Sequence, residues 1–126
     1  MMTENDERTV WERIFDALKQ NGVDVYPPAS KHGECTKEYV VVKNDGSSQY
    51  QQTSSEAQYY SILLYVPKDR YAVLEKYKQK VKEIVSLQLY PMLMPTGLET
   101  PDYYDDTVKA HMVSVQYRNN VRNKHL

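Results

Sequence analysis

Apolar side chains recur at helical spacing in two stretches of the sequence. The first stops at Asn21-Gly22 and has its apolar positions at Val10, Trp11, Ile14, Phe15 and Leu18. The second follows Pro67, carries lysines between its apolar positions, and contains Tyr71, Leu74, Tyr77, Val81, Ile84 and Val85. Steps of three and four place each set on one face of a helix. The sequence therefore predicts one helix from about residue 5 to about residue 20 and another from about residue 70 to about residue 88.

Four further stretches have the composition of β-strands. Val23 to Tyr26 is a short extended segment that ends at Pro27-Pro28, because proline cannot donate a ladder hydrogen bond. The other three, rich in β-branched and aromatic residues, are Glu38 to Lys43, Gln58 to Val66 and Val108 to Tyr117. The middle one of these is apolar almost throughout, which predicts a central strand covered on much of both faces.

A polar segment separates the second predicted strand from the third. Asn44-Asp45-Gly46 is a strong reverse-turn sequence, and the stretch from Ser47 to Thr53 after it is made of Ser, Gln and Thr around one tyrosine. These side chains are too polar for either face of the segment to lie in a core. We therefore predict that the chain reverses at Asn44-Asp45-Gly46 and that the hairpin projects into solvent or onto a neighbouring molecule.

The chain has 126 residues, no internal repeat and no linker, so it is predicted to form one domain over residues 1–126. The order of elements is helix, strand, strand, strand, helix, strand. This order predicts an α+β fold, a mainly antiparallel sheet of about four strands with both helices packed on one face and a projecting β-hairpin. Residues 118–126 are basic and are expected to form a flexible tail.

Charge and cysteine content limit the classes of function. The 16 basic and 17 acidic side chains nearly cancel, so the protein lacks the long-range field that draws in nucleic acid or an anionic membrane. The single cysteine, Cys35, cannot form an intramolecular disulfide, and no apolar leader follows Met1. The longest apolar run, Ile62 to Val66, is far shorter than the roughly 20 residues that cross a bilayer. These features predict a soluble protein of the reducing cytosol.

Candidate catalytic and metal-binding residues are few. His32, Glu34 and Cys35 lie close together in sequence, but a structural zinc site needs four ligands, and a Cys-His pair here would lack an anion-binding turn. Asp105 and Asp106 are adjacent, so in an extended chain they point to opposite faces and cannot act as a paired acid and base. The scattered glycines form no phosphate-binding loop. The sequence therefore predicts no enzyme, no cofactor and no bound metal.

Tyrosine is unusually frequent, with 12 tyrosines against one phenylalanine and one tryptophan. A tyrosine buries its ring and keeps its hydroxyl at a wet edge, which suits interfacial area. One interpretation is a stacking platform for single-stranded nucleic acid, formed by Tyr39, Tyr59, Tyr60 and Tyr65. The basic residues Arg118, Arg122 and Lys124 would then follow the phosphate backbone of the nucleic acid. The strands lack the Lys/Arg-Gly-aromatic signature of an RNA-recognition domain, so nucleic-acid binding is the less favoured interpretation of this sequence.

Four features of the sequence occur together. They are the element order, the short length, the polar hairpin around Asn44-Asp45-Gly46, and the strand after it that leads into the second helix, Tyr59-Tyr60-Ser61-Ile62-Leu63-Leu64-Tyr65-Val66. In this combination the chain resembles the tail terminator family of long-tailed phages over most of its length. The amino-acid composition, rich in Lys, Tyr and Asn, is most similar to that of members from prophages and tailocins of Gram-positive bacteria. The resemblance carries no diagnostic motif and transfers no catalytic residue.

The resemblance implies a structural protein that caps the tail tube as a ring, expected to be a hexamer, ends tube growth and joins the tail to the neck. Its implied partners are further copies of itself, the tail tube protein, and a sheath or neck connector protein, with no membrane and no specific nucleic acid. It would be in the host cytoplasm during assembly and then in the virion or in a tail-like particle, contractile or not. The alternatives are another connector component, either a head closure or a tail completion protein, and a small RNA-binding or protein-interaction module.

Contacts to neighbouring subunits or to the tube are expected from the polar hairpin, from an open sheet edge and from the basic carboxyl end. The candidate interface residues are Asn44, Asp45, Ser47, Gln49, Tyr50, Gln51, Arg118 and Arg122.

The balanced charge predicts weak binding to duplex DNA, because few phosphates can be neutralised. Fluorescence anisotropy at physiological salt is expected to give a Kd weaker than about 1 µM, the range of non-specific binding. Submicromolar binding to an unselected duplex would contradict the prediction.

Overall fold

The computed structural model of the chain describes residues 7–49 and 55–122, with the backbone alone at residues 49, 55, 121 and 122. In these ranges the chain forms two α-helices, α1 (Val10–Gln20) and α2 (Leu74–Gln88), and a 3-10 turn at Tyr71–Val73 leads into α2. The strands are β1 (Val25–Tyr26), β2 (Tyr39–Gln49), β3 (Ser55–Pro67), β4 (Met94–Glu99), β5 (Tyr103–Asp105) and β6 (Ala110–Arg122). Neither helix is long and apolar enough to span a membrane.

The strands form one mixed sheet in the order β1-β2-β3-β6-β4, and β5 also pairs with β6. Strand β1 is parallel to β2, and the other pairs are antiparallel. The predicted fold class is therefore wrong: over the described residues the sheet has six strands and is mixed, and two strands follow α2 before the last one. The sequence of β4 contains Pro95 and Gly97, which disfavour strands, and β5 spans only three residues, so neither has a clear strand pattern.

Helix α1 begins at Val10, later than predicted. Thr9 accepts a hydrogen bond from the Glu12 N–H at 3.1 Å, and the Glu12 carboxylate accepts one from the Thr9 N–H at 2.8 Å. This capping box satisfies two backbone donors and fixes the first turn, whereas residues 7–9 are not helical. The predicted residues 5 and 6 lie outside the described ranges.

Both helices cover the same face of the sheet, and alternation along the strands decides which side chains they cover. On β3 the side chains under the helices are Tyr60, Ile62, Leu64 and Val66, and on β6 they are Val113, Val115 and Tyr117. From α1, Ile14 and Leu18 complete this core with no exposed surface, and from α2 Val81 does the same. The opposite sheet face carries a smaller cluster around Tyr39, Cys35 and Ala110.

The predicted reversal at Asn44-Asp45-Gly46 is wrong, because β2 continues through these residues to Gln49. A bulge there sets Asn44 opposite Tyr60 and Gly46 opposite Tyr59. The Gly46 N–H donates to Asn44 Oδ1 at 2.7 Å, and Gly46 has φ +99°, a conformation that glycine adopts without strain. The reversal falls after Gln49, and residues 50–54 lie outside the described ranges.

The hairpin of β2 and β3 does not project alone. Strand β6 accompanies β3 along its whole length, from Pro67 opposite Ala110 to Ser55 opposite Arg122. Residues 118–122, expected to belong to a flexible tail, are therefore the last five positions of β6. The hairpin belongs to a three-stranded part of the sheet.

Two adjacent leucines on β3 test the assignment of the faces. Leu64 has no exposed surface and lies under the helices, while Leu63 is half-buried on the opposite face. We expect Leu64→Ala to lower the free energy of unfolding by about 2–5 kcal/mol, and the control Leu63→Ala by roughly 1 kcal/mol. Urea denaturation measures both, and equal losses would contradict the assignment.

Candidate functional site

One end of the sheet, together with the positions just before it, carries six of the eight predicted interface residues. This end, here named the sheet arm, consists of Ser47–Gln49 on β2, Ser55–Gln58 on β3 and Asn119–Arg122 on β6. The last described partner of β2 on its outer side is Tyr26 of β1, opposite Val41, and the last partner of β6 on its outer side is Met94 of β4, opposite Arg118. Within the described residues, the two flanking strands of the arm thus have a strand neighbour only on the β3 side.

The structure brings predicted residues from distant parts of the sequence to this end. Asn44 and Asp45 form the bulge at the base of the arm, and Ser47 and Gln49 lie on its β2 strand. On β6, Arg118 is opposite Tyr59 at the base and Arg122 is opposite Ser55 at the tip. The predicted residues Tyr50 and Gln51 lie outside the described ranges.

A chain of polar side chains crosses the open sheet face at the base of the arm. Ser61 and Gln116 both donate hydrogen bonds to Asp45 Oδ2, the latter at 3.3 Å from Nε2, and Thr96 donates to Gln116 Oε1 at 3.1 Å. Lys43 Nζ lies 3.7 Å from Asp45 Oδ1. These contacts link β2, β3, β6 and β4 and leave only 18 % of the Asp45 side chain exposed. The bulge is therefore held by side-chain contacts as well as by the ladder.

The four tyrosines proposed as a stacking platform do not share one exposed surface. Tyr39 and Tyr65 stack at 4.7 Å between ring centroids, but Tyr39 is only 2 % exposed. Tyr60 points to the helix-covered face, whereas Tyr59, its neighbour in the strand, lies on the other face. Lys31 Nζ lies 5.5 Å from the Tyr39 ring centroid, so the loop before β2 closes over this end of the face.

The residues considered for metal binding or catalysis are buried, exposed or engaged in local contacts. Cys35 is 2 % exposed, its thiol donates to the Lys37 carbonyl at 3.3 Å, and burial raises the pKa of the thiol. His32 and Glu34 are exposed. Asp105 accepts a hydrogen bond from the Thr107 N–H at 2.9 Å, and Asp106 pairs with Lys109. No group of three or more potential ligands lies together in the described part of the chain.

A cavity of about 560 Å³ lies between α2 and the strands β4 and β6. The buried side chains that line it are Val85, Leu93 and Tyr117. More exposed residues, among them Lys82, Tyr90 and Pro95, also line it. None of these residues was predicted to belong to a functional site. Their only signal was the pair of prolines, Pro91 and Pro95, that brackets the segment after α2.

An ion-pair group beside this cavity joins α2 to β4. Lys82 Nζ lies 2.5 Å from Glu99 Oε2, and Lys78 Nζ lies 3.2 Å from Glu99 Oε1. The hydrogen bond from Lys82, together with the contact to Lys78, lowers the pKa of Glu99 below its ordinary value. The carboxylate thereby fixes the edge strand to the helix.

The comparisons with known proteins add no further assignment: neither the family models nor the curated proteins searched match the chain. The resemblance to tail terminators stays a prediction from the sequence. The geometry supplies exposed strand edges at the sheet arm, and these can bind the edge of another chain.

The lowered pKa of Glu99 predicts a pH-dependent contribution to stability. Because the folded-state pKa is below the unfolded value, the contribution is present above about pH 4.5, the ordinary pKa, and is lost as the pH falls through the folded-state pKa. We expect Glu99→Gln to lower the free energy of unfolding at pH 7 by about 0.5–1 kcal/mol, with the difference shrinking in acid. The control Glu83→Gln, exposed on α2, should change little at either pH. Urea denaturation at pH 7 and pH 3 measures this, and a difference that grows in acid would contradict it.

Proposed function

We propose that this protein is a structural assembly protein of a tailed phage or tail-like particle, a tail terminator that caps the tail tube as a ring. The observation that carries the proposal is the sheet arm, whose two flanking strands have free outer edges in the described residues. The supporting sequence features are the resemblance stated above and the polar composition of the segment from Asn44 to Thr53.

Free edges at the arm stand out because the other edges of this sheet are blunted. Strand β1 has only two residues, and β4 contains Pro95. Short edge strands and proline are means by which proteins prevent unwanted strand addition. The arm edges lack proline on both strands. This contrast supports a binding role for the arm.

The exposed polar side chains of the arm also favour docking over a place in the core. On β2, Lys43 and Asn44 at the base of the arm and Ser47 and Ser48 in the arm are exposed, although all four residues are paired with β3. A long strand with exposed side chains gains little from burial within its own subunit. A ring protein needs such a surface on each copy, because each copy contacts two neighbours and the tube.

Charge added to the arm tests the proposal. Ser47 and Ser48 are exposed, so Ser47→Lys/Ser48→Lys should keep the domain folded, while lysines at a strand edge oppose strand addition. The double variant should keep its circular dichroism spectrum and shift Tm by no more than about 3 °C. When it replaces the parent protein during particle assembly, electron microscopy should show tails of uncontrolled length.

Gln20→Lys/Gln88→Lys is the matched control, because it adds the same charge at exposed helix ends remote from the arm in sequence. This control should give tails of normal length. Normal-length tails that fail to join heads in the arm variant would favour the head closure or tail completion alternative. Normal particles from a folded arm variant would show that the arm is an ordinary surface and would remove the proposal's main support.

A further inference from the structure

The two free edges of the sheet arm lie on opposite sides of the same strand, β3. We propose that neighbouring copies join through these edges, with the β2 edge of one copy pairing in parallel with the β6 edge of the next. That the joined copies form the ring of a tail terminator rests on the proposed function. The pairing of the two edges is inferred from the strand geometry of this chain.

The β2 edge becomes free just after the contacts that close it near the core. The Val40 N–H donates to the Asp24 carbonyl at 2.9 Å, and Trp11 Nε1 donates to the Val42 carbonyl at 2.7 Å, so β1 and α1 occupy the edge up to Val42. Alternate backbone groups of a strand point away from its partner. From Gly46 to Gln49 no described strand pairs with these outward groups.

The β6 edge becomes free at the same height along the strands. Asn119 Nδ2 donates to the Met92 carbonyl at 2.7 Å, which seals the junction with the segment before β4. Beyond it, the outward groups up to Arg122 have no described strand partner. Ser48 and Asn120 are both opposite Ala57 of β3. The two edges are thus level with each other across the arm.

This level placement has a consequence for symmetry. A heterologous contact generates a closed ring when the operation between copies is a rotation by a whole fraction of a turn, and an open helix when it includes a rise. Edges at equal height along the strands can meet by rotation about an axis roughly along the strands. Both β2 and β6 are antiparallel to β3, so they run in the same direction, and such a rotation makes the junction between copies parallel.

Charge disfavours the pairing of two β6 edges. The free β6 edge from Asn119 to Arg122 carries one arginine and no acidic residue, and Arg118 lies directly before it. Joining two such edges would place arginines together, and like charges across a junction oppose the wrong pairing. The free β2 edge from Gly46 to Gln49 carries no charged residue, so it can pair with the β6 edge without this repulsion.

Single-cysteine cross-linking tests the junction. Ser48→Cys and Asn120→Cys are both at exposed positions, and the native Cys35 is buried. After mild oxidation at high protein concentration, we expect a covalent dimer when the two variants are mixed, at least tenfold more abundant than with either variant alone. The matched control replaces Ser48→Cys by Lys80→Cys, exposed on α2, and should give only background dimer when mixed with Asn120→Cys.

The double variant Ser48→Cys/Asn120→Cys should give a ladder of cross-linked species that ends at the number of copies in the ring. Cross-linking of Ser48→Cys with itself would indicate a two-fold dimer through β2 and would overturn the inference, as would a mixed yield no higher than that of the control. If cross-links fail while arm lysines still give overlong tails, the function stands and the junction is wrong. If the ladder forms while tail length is unaffected by the arm, the junction stands and the tail terminator function is wrong.

Discussion

Pairing of β3 on both sides along most of its length is the constraint on which the rest of the structure depends. From Ser55 to Pro67 it is hydrogen-bonded to β6, and from Glu56 to Tyr65 also to β2. Its alternate side chains then separate into a helix-covered set around Ile62 and Leu64 and an opposite set around Tyr65. Because a shift by one residue would exchange these sets, the core fixes the register, and the register fixes the arm.

Elements with strong periodicity were predictable from the sequence, and elements defined by their partners were not. The stripes of α1 and α2 and the apolar run of β3 gave their approximate positions, although capping by Thr9 placed the start of α1 at Val10. The misplaced reversal has a physical origin, because a tight turn and a bulge both need a residue such as Gly46 that accepts positive φ. Cross-strand pairing with Tyr59 and Tyr60 decides between them, and no local pattern contains that information.

The candidate site was predictable as a set of polar residues but not as a surface. Asn44, Asp45, Ser47 and Gln49 were identified because they did not suit a core, and Arg118 and Arg122 because they were basic near the end of the sequence. Their adjacency arises from the β3–β6 ladder, and the contacts of Asp45 span 16 residues to Ser61 and 71 to Gln116. Such distances in sequence are set by topology, so the local pattern of a single sequence does not reveal them.

The shortness of the free edges bears on how a ring would assemble. Each stretch from Gly46 to Gln49, or from Asn119 to Arg122, offers outward backbone groups at only alternate residues, so one junction would contain a few hydrogen bonds worth about 0.5–1.5 kcal/mol each. The bulge at Asp45 prevents the pairing from extending toward Val42, whose carbonyl Trp11 already occupies. Such a junction offsets little of the entropy lost when two free subunits associate. Subunits already held side by side on a tube have lost most of that entropy, so a short edge favours ring closure on a template, whereas in free solution the junction forms only transiently and is trapped by cross-linking at high protein concentration.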